Sequence, residues 1–186
     1  GLNVRCIGRQ RSIVDIEAEL REREYLSAAT LCAEHVSFVH GDLALPKLGL
    51  ANDKWDALAQ GVSAFIHCAA HVSIANDYKD LWPENVRASA DLFQLSVSVG
   101  AAFHFVSTMS IFGDGQAHED SCPPPPLPQH GCTGYDQSKW VADRAVSAIA
   151  DRVKCPVQIY RLPLITGDAN TGAWNSTDWL PRLLMG

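Results

Sequence analysis

The sequence predicts an α/β fold in which a doubly wound, mostly parallel sheet is covered by helices on both faces. Two observations favour this class. Short β-rich segments alternate with longer segments of helical periodicity, and the short segments are almost continuously apolar, as strands buried on both faces are. Five strands are therefore expected, at residues 2–7, 36–39, 64–68, 103–107 and 157–161.

Helices are expected between these strands. Residues 13–33 carry apolar side chains at helical spacing among Glu and Arg, and residues 55–60 have the pattern of a short helix. Residues 84–99 contain neither Pro nor Gly, so a helix should run through them, with Pro83 just ahead of it or in its first turn, where a missing N–H costs least. A last helix is expected at 135–152, where Ala, Val, Ile and Trp recur at three- and four-residue steps.

A proline-rich segment at 122–128 can be neither a helix nor a central strand. We expect a stiff, extended surface loop there, either as a wall of the active site or as a docking segment for a proline-recognition domain. A disulfide between Cys122 and Cys132 across this loop is the less favoured alternative to reduced thiols. None of the six cysteines forms a C-x-x-C pair, and cytosolic proteins rarely carry disulfides.

The composition is that of an ordinary soluble domain. Of the 186 residues, 47% are hydrophobic and 19% are charged, which is enough for one sizeable core. The net charge of −6 argues against a nucleic-acid partner, and no apolar run approaches the roughly 18 residues needed to cross a bilayer. We therefore expect a cytoplasmic protein with neither nucleic acid nor membrane as a partner. The histidines share no metal-ligand spacing with Cys or carboxylates, so no metal site is expected.

Residues 1–186 are expected to form one partial Rossmann-like domain that lacks its first β-α unit and its C-terminal substrate part. Such a sheet normally opens with a strand, a glycine-rich turn and a helix whose N-terminus binds the pyrophosphate. No G-x-x-G-x-x-G motif is present. This motivates one hypothesis from a different class, a non-catalytic fragment that keeps the core of the fold without binding a cofactor.

The sharpest chemical motif is Tyr135 and Lys139, a Y-x-x-x-K pair that lies on one helix face. An ammonium beside a phenol favours the phenolate, so we expect the pKa of Tyr135 to fall from about 10 toward neutrality and the residue to pass a proton to a developing alkoxide. Taken alone, the pair also fits an ordinary exposed helical pair.

A hydroxyl cluster at 107–110 follows the fourth strand and favours the catalytic interpretation, because ligands bind at the C-terminal edge of parallel strands. Thr108 would hydrogen-bond the substrate carbonyl oxygen as negative charge develops there. Without the Tyr and Lys, the same cluster would be interpreted as a cap or turn.

Arg9 bears on the choice of cofactor. The end of the second strand of a dinucleotide fold carries an acidic residue for the ribose of NAD or an arginine for the 2′-phosphate of NADP. Arg9 and Arg11 follow the first strand of this chain, which has the character of that second strand, and no carboxylate stands there. NADPH is therefore expected, over an ordinary pair of surface arginines.

The sequence resembles the extended short-chain dehydrogenases/reductases over nearly its whole length. Within them, it is most similar to the thioester reductase domains of nonribosomal peptide synthetases and the reductase domains of carboxylic acid reductases. The most specific segments are Gly-Tyr-Asp-Gln-Ser-Lys-Trp at 134–140 and Thr-Gly-Ala-Trp-Asn at 171–175. The others are Gly-Asp-Leu at 41–43, His-Cys-Ala-Ala-His-Val at 67–72, Asn-Val at 85–86, Ser-Thr-Met-Ser at 107–110 and Ile-Thr-Gly-Asp at 165–168.

The resemblance implies a role for each matched residue. Thr108 and Tyr135 would polarise the carbonyl oxygen and supply the proton, and Lys139 would hold the nicotinamide ribose. The remaining cofactor-binding residues that the resemblance implies are Asp42 and Leu43 beside the adenine, Ala69 and Ala70 along the cofactor path, Ser107, and Leu162 to Ile165 against the nicotinamide.

The expected function is reduction of an acyl thioester on the phosphopantetheine arm of a carrier protein to an aldehyde by NADPH, with a further step to an alcohol left open. The alternatives are a fatty acyl-CoA reductase or a sugar-nucleotide epimerase or dehydratase with the same triad. The chain departs from the family pattern at Leu162-Pro163-Leu164, at Ala88-Ser89 and at Trp82-Pro83-Glu84. These departures bear on substrate preference more than on the chemistry.

Overall fold

The computed structural model describes residues 3–9, 12–22, 35–112, 126–127, 131–150, 152–153, 155–170, 172, 180 and 183. The chain divides into two compact units. The first is formed by Gly1–His40 and Leu164–Gly186, and the second by Gly41–Pro163. Each of the five predicted strands is present, in these two units.

In the first unit, strands β1 (Val4–Gly8) and β2 (Val36–His40) pair in parallel. Helix α1 (Ile13–Glu22) follows β1 and is capped by Ser12, whose Oγ accepts the backbone N–H of Asp15 at 3.3 Å, while the backbone N–H of Ser12 donates to the Asp15 carboxylate at 2.7 Å. The predicted helix at 13–33 is confirmed as far as residue 22, and its remainder lies outside the described residues.

In the second unit, strands β3 (Ala64–His67), β4 (Ala102–Thr108) and β5 (Val157–Leu162) form a parallel sheet in that order. The predicted parallel α/β fold is thereby confirmed. The described part of this unit also contains four helices: α2 (Asn52–Ala59), α3 (Tyr78–Leu81), α4 (Ala88–Val99) and α5 (Gly134–Ala150). It contains in addition a π-helical turn at Trp82–Arg87 and 3-10 turns at Pro46–Gly49 and Met109–Phe112.

The helical segment before α4 begins earlier than its sequence pattern indicates. Instead of starting at Glu84, it runs from Tyr78, and Pro83 falls in the first turn of the π-helical segment. A proline removes one helical N–H and clashes with the carbonyl four residues before it, so a regular α-helix cannot continue unchanged through Pro83, and the chain forms a wider π-turn there. This turn also carries Glu84 and Asn85, which contact the candidate active site described below.

The core of the second unit lies between the sheet and helices α4 and α5. Phe103 and Phe105 of β4 are fully buried, with Phe93 of α4 packed 5.0 Å from Phe103 and Lys139 of α5 lying over the Phe105 ring. The predicted burial of both sheet faces was wrong for these described residues, because α4 and α5 both pack on the face that Phe103 and Phe105 occupy. On the opposite face, Ile66 is 73% exposed.

The prediction of a stiff loop at 122–128 and the alternative of a Cys122–Cys132 disulfide lie outside the described residues, apart from residues 126 and 127.

Candidate active site

Helix α5 begins with a capping arrangement that sets the position of Tyr135. The hydroxyl of Thr133 accepts the backbone N–H of Asp136 at 3.2 Å, and the Asp136 carboxylate accepts the backbone N–H of Thr133 at 2.9 Å. These reciprocal bonds satisfy two N–H groups that the helix itself leaves without partners. Gly134 lies between them, pressed so closely against the backbone of residues 76–78 that a Cβ would overlap it.

Lys139 lies one helical turn after Tyr135 and is 3% exposed. Its ammonium donates to the Val106 carbonyl oxygen at 2.8 Å and lies 4.5 Å from the centre of the Phe105 ring. Burial lowers its pKa to about 8, against the opposing influence of Asp143 and Cys68. Because Val106 is two residues before Thr108 on β4, the Y-x-x-x-K face of α5 lies against the end of the strand that carries the predicted hydroxyl.

The expected lowering of the Tyr135 pKa was wrong for the structure as it stands. The pKa of Tyr135 is raised, first because burial disfavours the phenolate and second because the Asp136 carboxylate is its neighbour in sequence. Lys139 is directed to the Val106 carbonyl instead of stabilising a phenolate. Tyr135 therefore keeps its proton and is a hydrogen-bond donor in this state.

Thr108 is the last residue of β4 and is half-buried. Its hydroxyl accepts the backbone N–H of Ser110 at 3.2 Å and donates to the Ser110 hydroxyl at 3.2 Å. The neighbouring Ser107 is buried, and its Oγ hydrogen-bonds to no residue in the part of the chain that the structure describes. Leu162 pairs with Thr108 across the sheet, so the predicted hydroxyl and this predicted cofactor residue are brought together.

Asn85 is a candidate site residue to which its sequence pattern assigned no role. It is 1% exposed, and its side chain clamps the backbone of His71 by accepting the N–H at 2.7 Å and donating to the carbonyl at 3.0 Å. The same Nδ2 donates to Ser138 Oγ at 2.9 Å, and Ser138 donates to the Tyr135 carbonyl at 2.8 Å. The segment after β3 is thus linked to the first turn of α5 through two side chains.

Two histidines near this link differ in their surroundings. His71 Nδ1 contacts the carboxylate of the buried Glu84, while 43% of the His71 side chain is exposed. His67 is 4% exposed and hydrogen-bonds Ser89 Oγ through Nε2 at 2.9 Å. Burial, reinforced by the charge of Lys139, lowers the pKa of His67 to about 3, so His67 is neutral at physiological pH.

Asp143 and Arg161 form a buried ion pair behind Lys139. The guanidinium of Arg161 donates to both oxygens of Asp143, at 3.0 and 2.8 Å, and Asp143 is 0% exposed. Ser147 donates to the same carboxylate at 3.2 Å. The i, i+4 spacing of Lys139 and Asp143 was visible in the sequence, but nothing there indicated Arg161 as the partner.

The other predicted cofactor residues lie at strand ends. Asp42 and Leu43 follow β2, where Asp42 Oδ1 accepts the N–H of Ala44 at 2.9 Å, and Ala69 and Ala70 follow β3. These four residues belong to the second unit, with Thr108, Tyr135 and Lys139. The remaining two, Arg9 directly after β1 and Ile165, are exposed residues of the first unit.

Two cavities adjoin the start of α5, of about 450 and 530 Å³. Tyr78, Cys132 and Gln137 line both, and neither lining includes Thr108, Tyr135 or Lys139. Within the described residues, no group of three or more His, Cys, Asp or Glu is arranged to hold a metal ion. No helix in that part of the chain has the length and apolarity required to cross a membrane.

A parallel sheet, a Y-x-x-x-K helix packed on its central strand and a hydroxyl at the end of that strand define an NAD(P)-binding domain of the extended short-chain dehydrogenase/reductase class. The chain belongs to the NAD-binding family described as male sterility protein, whose profile matches residues 2–186. It is 32% identical over 188 residues to a linear gramicidin synthase from Brevibacillus parabrevis, covering 98% of this chain and 4% of that protein. It is also 32% identical over 151 residues to fusarin C synthetase of Gibberella moniliformis, covering 80% of this chain and 4% of that protein.

Solved structures agree with this assignment. The terminal R domain from the myxalamid PKS-NRPS pathway superposes with a TM-score of 0.85 at 30% identity, covering 98% of this chain and 47% of that one. The reductase domain of a nonribosomal peptide synthetase from Mycobacterium tuberculosis superposes with a TM-score of 0.74 at 25% identity, covering 97% and 46%. The chain thus spans about half of these reductase domains and a small part of the synthetases. The predicted likeness to terminal reductase domains of nonribosomal peptide synthetases is confirmed.

Proposed function

We propose that the protein carrying this chain reduces an acyl thioester, held on the phosphopantetheine arm of a carrier protein, to an aldehyde with NADPH. One observation carries the proposal. The ammonium of Lys139 is fixed 2.8 Å from the Val106 carbonyl, which sets the Tyr135–Lys139 helix face against the strand end that carries Thr108. The nonribosomal peptide synthetases among the relatives support a carrier-bound thioester as the substrate.

The donors at this strand end fit a dinucleotide ribose. Lys139 has three N–H groups, and among the described residues only the Val106 carbonyl is its hydrogen-bond partner, so two remain for ribose hydroxyls. The buried Ser107 Oγ has no protein partner in the described part of the chain and lies on the same strand. A buried hydroxyl without a partner is rare in folded proteins, and a bound ligand group accounts for it.

The other cofactor contacts follow the positions of the matched residues. In this proposal, Asp42 and Leu43 border the adenine, and Ala69 and Ala70 leave room along the cofactor path because they are small. Leu162 and Ile165 would lie against the nicotinamide. The proposed preference for NADPH rests on Arg9, whose exposed guanidinium suits a 2′-phosphate.

The bound nicotinamide supplies a hydride to the carbonyl carbon of the thioester. Thr108 and Tyr135 donate hydrogen bonds to the carbonyl oxygen and strengthen them as negative charge develops. The raised pKa of Tyr135 suits this role, because a phenol that retains its proton is a donor before the reaction and gives the proton to the more basic alkoxide. Lys139 orients the ribose through the N–H groups that Val106 leaves unused.

The test is NADPH oxidation by the full-length protein with an acyl-pantetheine thioester and with the same acyl group on a carrier protein. Tyr135→Phe should reduce kcat by about 10²- to 10⁴-fold, since it removes the proton donor. Tyr160→Phe is the matched control, because Tyr160 is 40% exposed on β5 and bonds only to His104 among the described residues. Loss of activity in both variants, or in neither, would contradict the role given to Tyr135.

Cofactor and substrate choice are tested in the same assay. Arg9→Ala should raise KM for NADPH and leave KM for NADH nearly unchanged. Equal turnover of acyl-CoA and carrier-bound acyl groups would favour the fatty acyl-CoA reductase alternative. Failure of the full-length protein to bind NADPH in a fluorescence titration would favour the non-catalytic alternative.

A further inference from the structure

His71 is positioned by the same residues that position Tyr135. It follows β3 in the second unit, at the C-terminal edge of the parallel sheet, where ligands bind in such folds. Asn85 holds both its backbone N–H and its carbonyl, and the remaining Nδ2 hydrogen of Asn85 bonds to Ser138 on the first turn of α5. Both N–H groups and the oxygen of the Asn85 amide are engaged, so the backbone of His71 is tied to the first turn of α5, which carries Tyr135.

The imidazole of His71 is held as well as its backbone. Its Nδ1 contacts Glu84, which is 8% exposed and projects from the π-helical turn that also carries Asn85. A buried carboxylate is costly unless it is paired, and its contact with Nδ1 fixes the orientation of the ring. None of the described residues bonds to Nε2, and 43% of the side chain is exposed. This is the arrangement of a general acid directed away from its carboxylate partner.

Thioester reduction needs a proton donor that the triad does not supply. Thr108 and Tyr135 act on the carbonyl oxygen, and Lys139 is buried with its ammonium on the Val106 carbonyl. The sulfur of the substrate is released as a thiol near neutral pH, because the conjugate acid of an alkyl thiolate has a pKa of about 8.5, and a proton delivered to the sulfur as the bond breaks speeds its departure. The nearby His67 cannot serve, since its pKa of about 3 leaves it unprotonated.

We propose that His71, held by Glu84, donates a proton from Nε2 to the substrate sulfur as the carbon–sulfur bond breaks. This role rests on the thioester reductase function proposed above. After hydride addition and proton transfer from Tyr135, the substrate is a thiohemiacetal. Its hydroxyl proton returns to the Tyr135 oxygen as the carbon–oxygen double bond forms, and the electrons of the carbon–sulfur bond pass to sulfur, which takes the His71 proton. His71 is reprotonated from water, so one hydride and one proton are consumed for each aldehyde and thiol released.

The leaving group provides a readout that a purely structural role of His71 would not change. The full-length protein is assayed with two thioesters of one acyl group, an alkyl thioester of pantetheine and an aryl thioester, whose more acidic thiol leaves without help. His71→Gln should reduce kcat for the alkyl thioester by about 10²-fold or more, and kcat for the aryl thioester by less than about tenfold. Added imidazole should restore part of the alkyl activity in His71→Ala.

Two further variants separate this role from damage to the fold. Glu84→Gln keeps the imidazole and removes the carboxylate that holds Nδ1, so it should show the same selective loss in a smaller degree. His104→Gln is the matched control, since His104 bonds Tyr160 on β5 and is given no part in the reaction. The His104→Gln protein should reduce both thioesters at the wild-type rate.

The outcomes are distinct. An equal loss with the two thioesters, or no loss with either, in a His71→Gln protein that still binds NADPH would overturn the role of His71 while leaving the proposed function standing. Wild-type protein that binds NADPH and reduces neither thioester would overturn the proposed function itself, and the role of His71 with it.

Discussion

Replacement of Gly134 by alanine is expected to impair catalysis through a displacement of the backbone. A Cβ at this position would lie 2.6 Å from the Asp77 carbonyl carbon and 2.6 Å from the Tyr78 nitrogen, and it would also overlap the Asn76 carbonyl oxygen. Non-bonded carbon atoms pack at about 3.5 to 4.0 Å, so the two backbones must separate by about 1 Å. Because Tyr135 is the next residue, this displacement falls on the proposed proton donor.

A shift of about 1 Å in a catalytic group lowers the rate by about 10²-fold, and overpacking of this kind lowers the free energy of unfolding by about 1–3 kcal/mol. We expect Gly134→Ala to reduce kcat for thioester reduction by about 10²-fold at saturating NADPH. The NADPH dissociation constant should change little, because Lys139 lies one turn further along α5 and is anchored on Val106.

The matched control is Gly61→Ala. Gly61 has a positive φ of 69° and nothing within 4 Å of an added Cβ, so this variant loses stability without moving the site. Both proteins are compared by kcat, NADPH titration and thermal unfolding, at a temperature where both are folded. A Gly134→Ala enzyme with wild-type kcat, or one whose kcat and NADPH affinity fall together, would refute the reasoning.

Two predictions concern the charge of Lys139, and one concerns a buried hydrogen bond. We expect kcat/KM to fall as pH rises through about 8, because the pKa of Lys139 is lowered to that value and its ammonium is lost above it; a profile flat to pH 10 would contradict this. Asp143→Asn removes the carboxylate that raises the pKa of Lys139, so the decrease in kcat/KM should begin at lower pH. If Asp143 only stabilises the fold, the pH at which kcat/KM decreases will not change. Ser89→Ala leaves Nε2 of the buried His67 without its partner at 2.9 Å. The free energy of unfolding, measured in urea, should therefore fall by about 1–3 kcal/mol. A decrease of less than about 0.5 kcal/mol would contradict a contribution of this bond to stability.

The secondary structure was largely predictable because it depends on local patterns. The five strands and the helix that carries Tyr135 and Lys139 follow from apolar periodicity over a few residues, and the structure confirms them. The exception is the start of the helical segment at Pro83. Pro83 indicated a helix start by local rules, whereas the chain continues from α3 into α4 through a π-turn that accommodates the ring.

The candidate site was predictable only in part. The i, i+4 spacing of Tyr135 and Lys139 places them on one helix face, and the strand end places Thr108. The direction of the Tyr135 pKa was not accessible in this way, because it depends on burial and on where the Lys139 ammonium points. Both depend on how α5 packs against β4.

The sequence alone determined the class of fold, the family and the residue types available for chemistry, since these reside in short-range spacing and specific motifs. The tertiary structure decided how those residues are held. Asn85 joins Ser138, His71 joins Glu84 and Arg161 joins Asp143 across separations of 53, 13 and 18 residues. Such contacts form only when distant segments pack together. Burial increases the contribution of each contact to stability, because a polar group removed from water must find its partner within the protein.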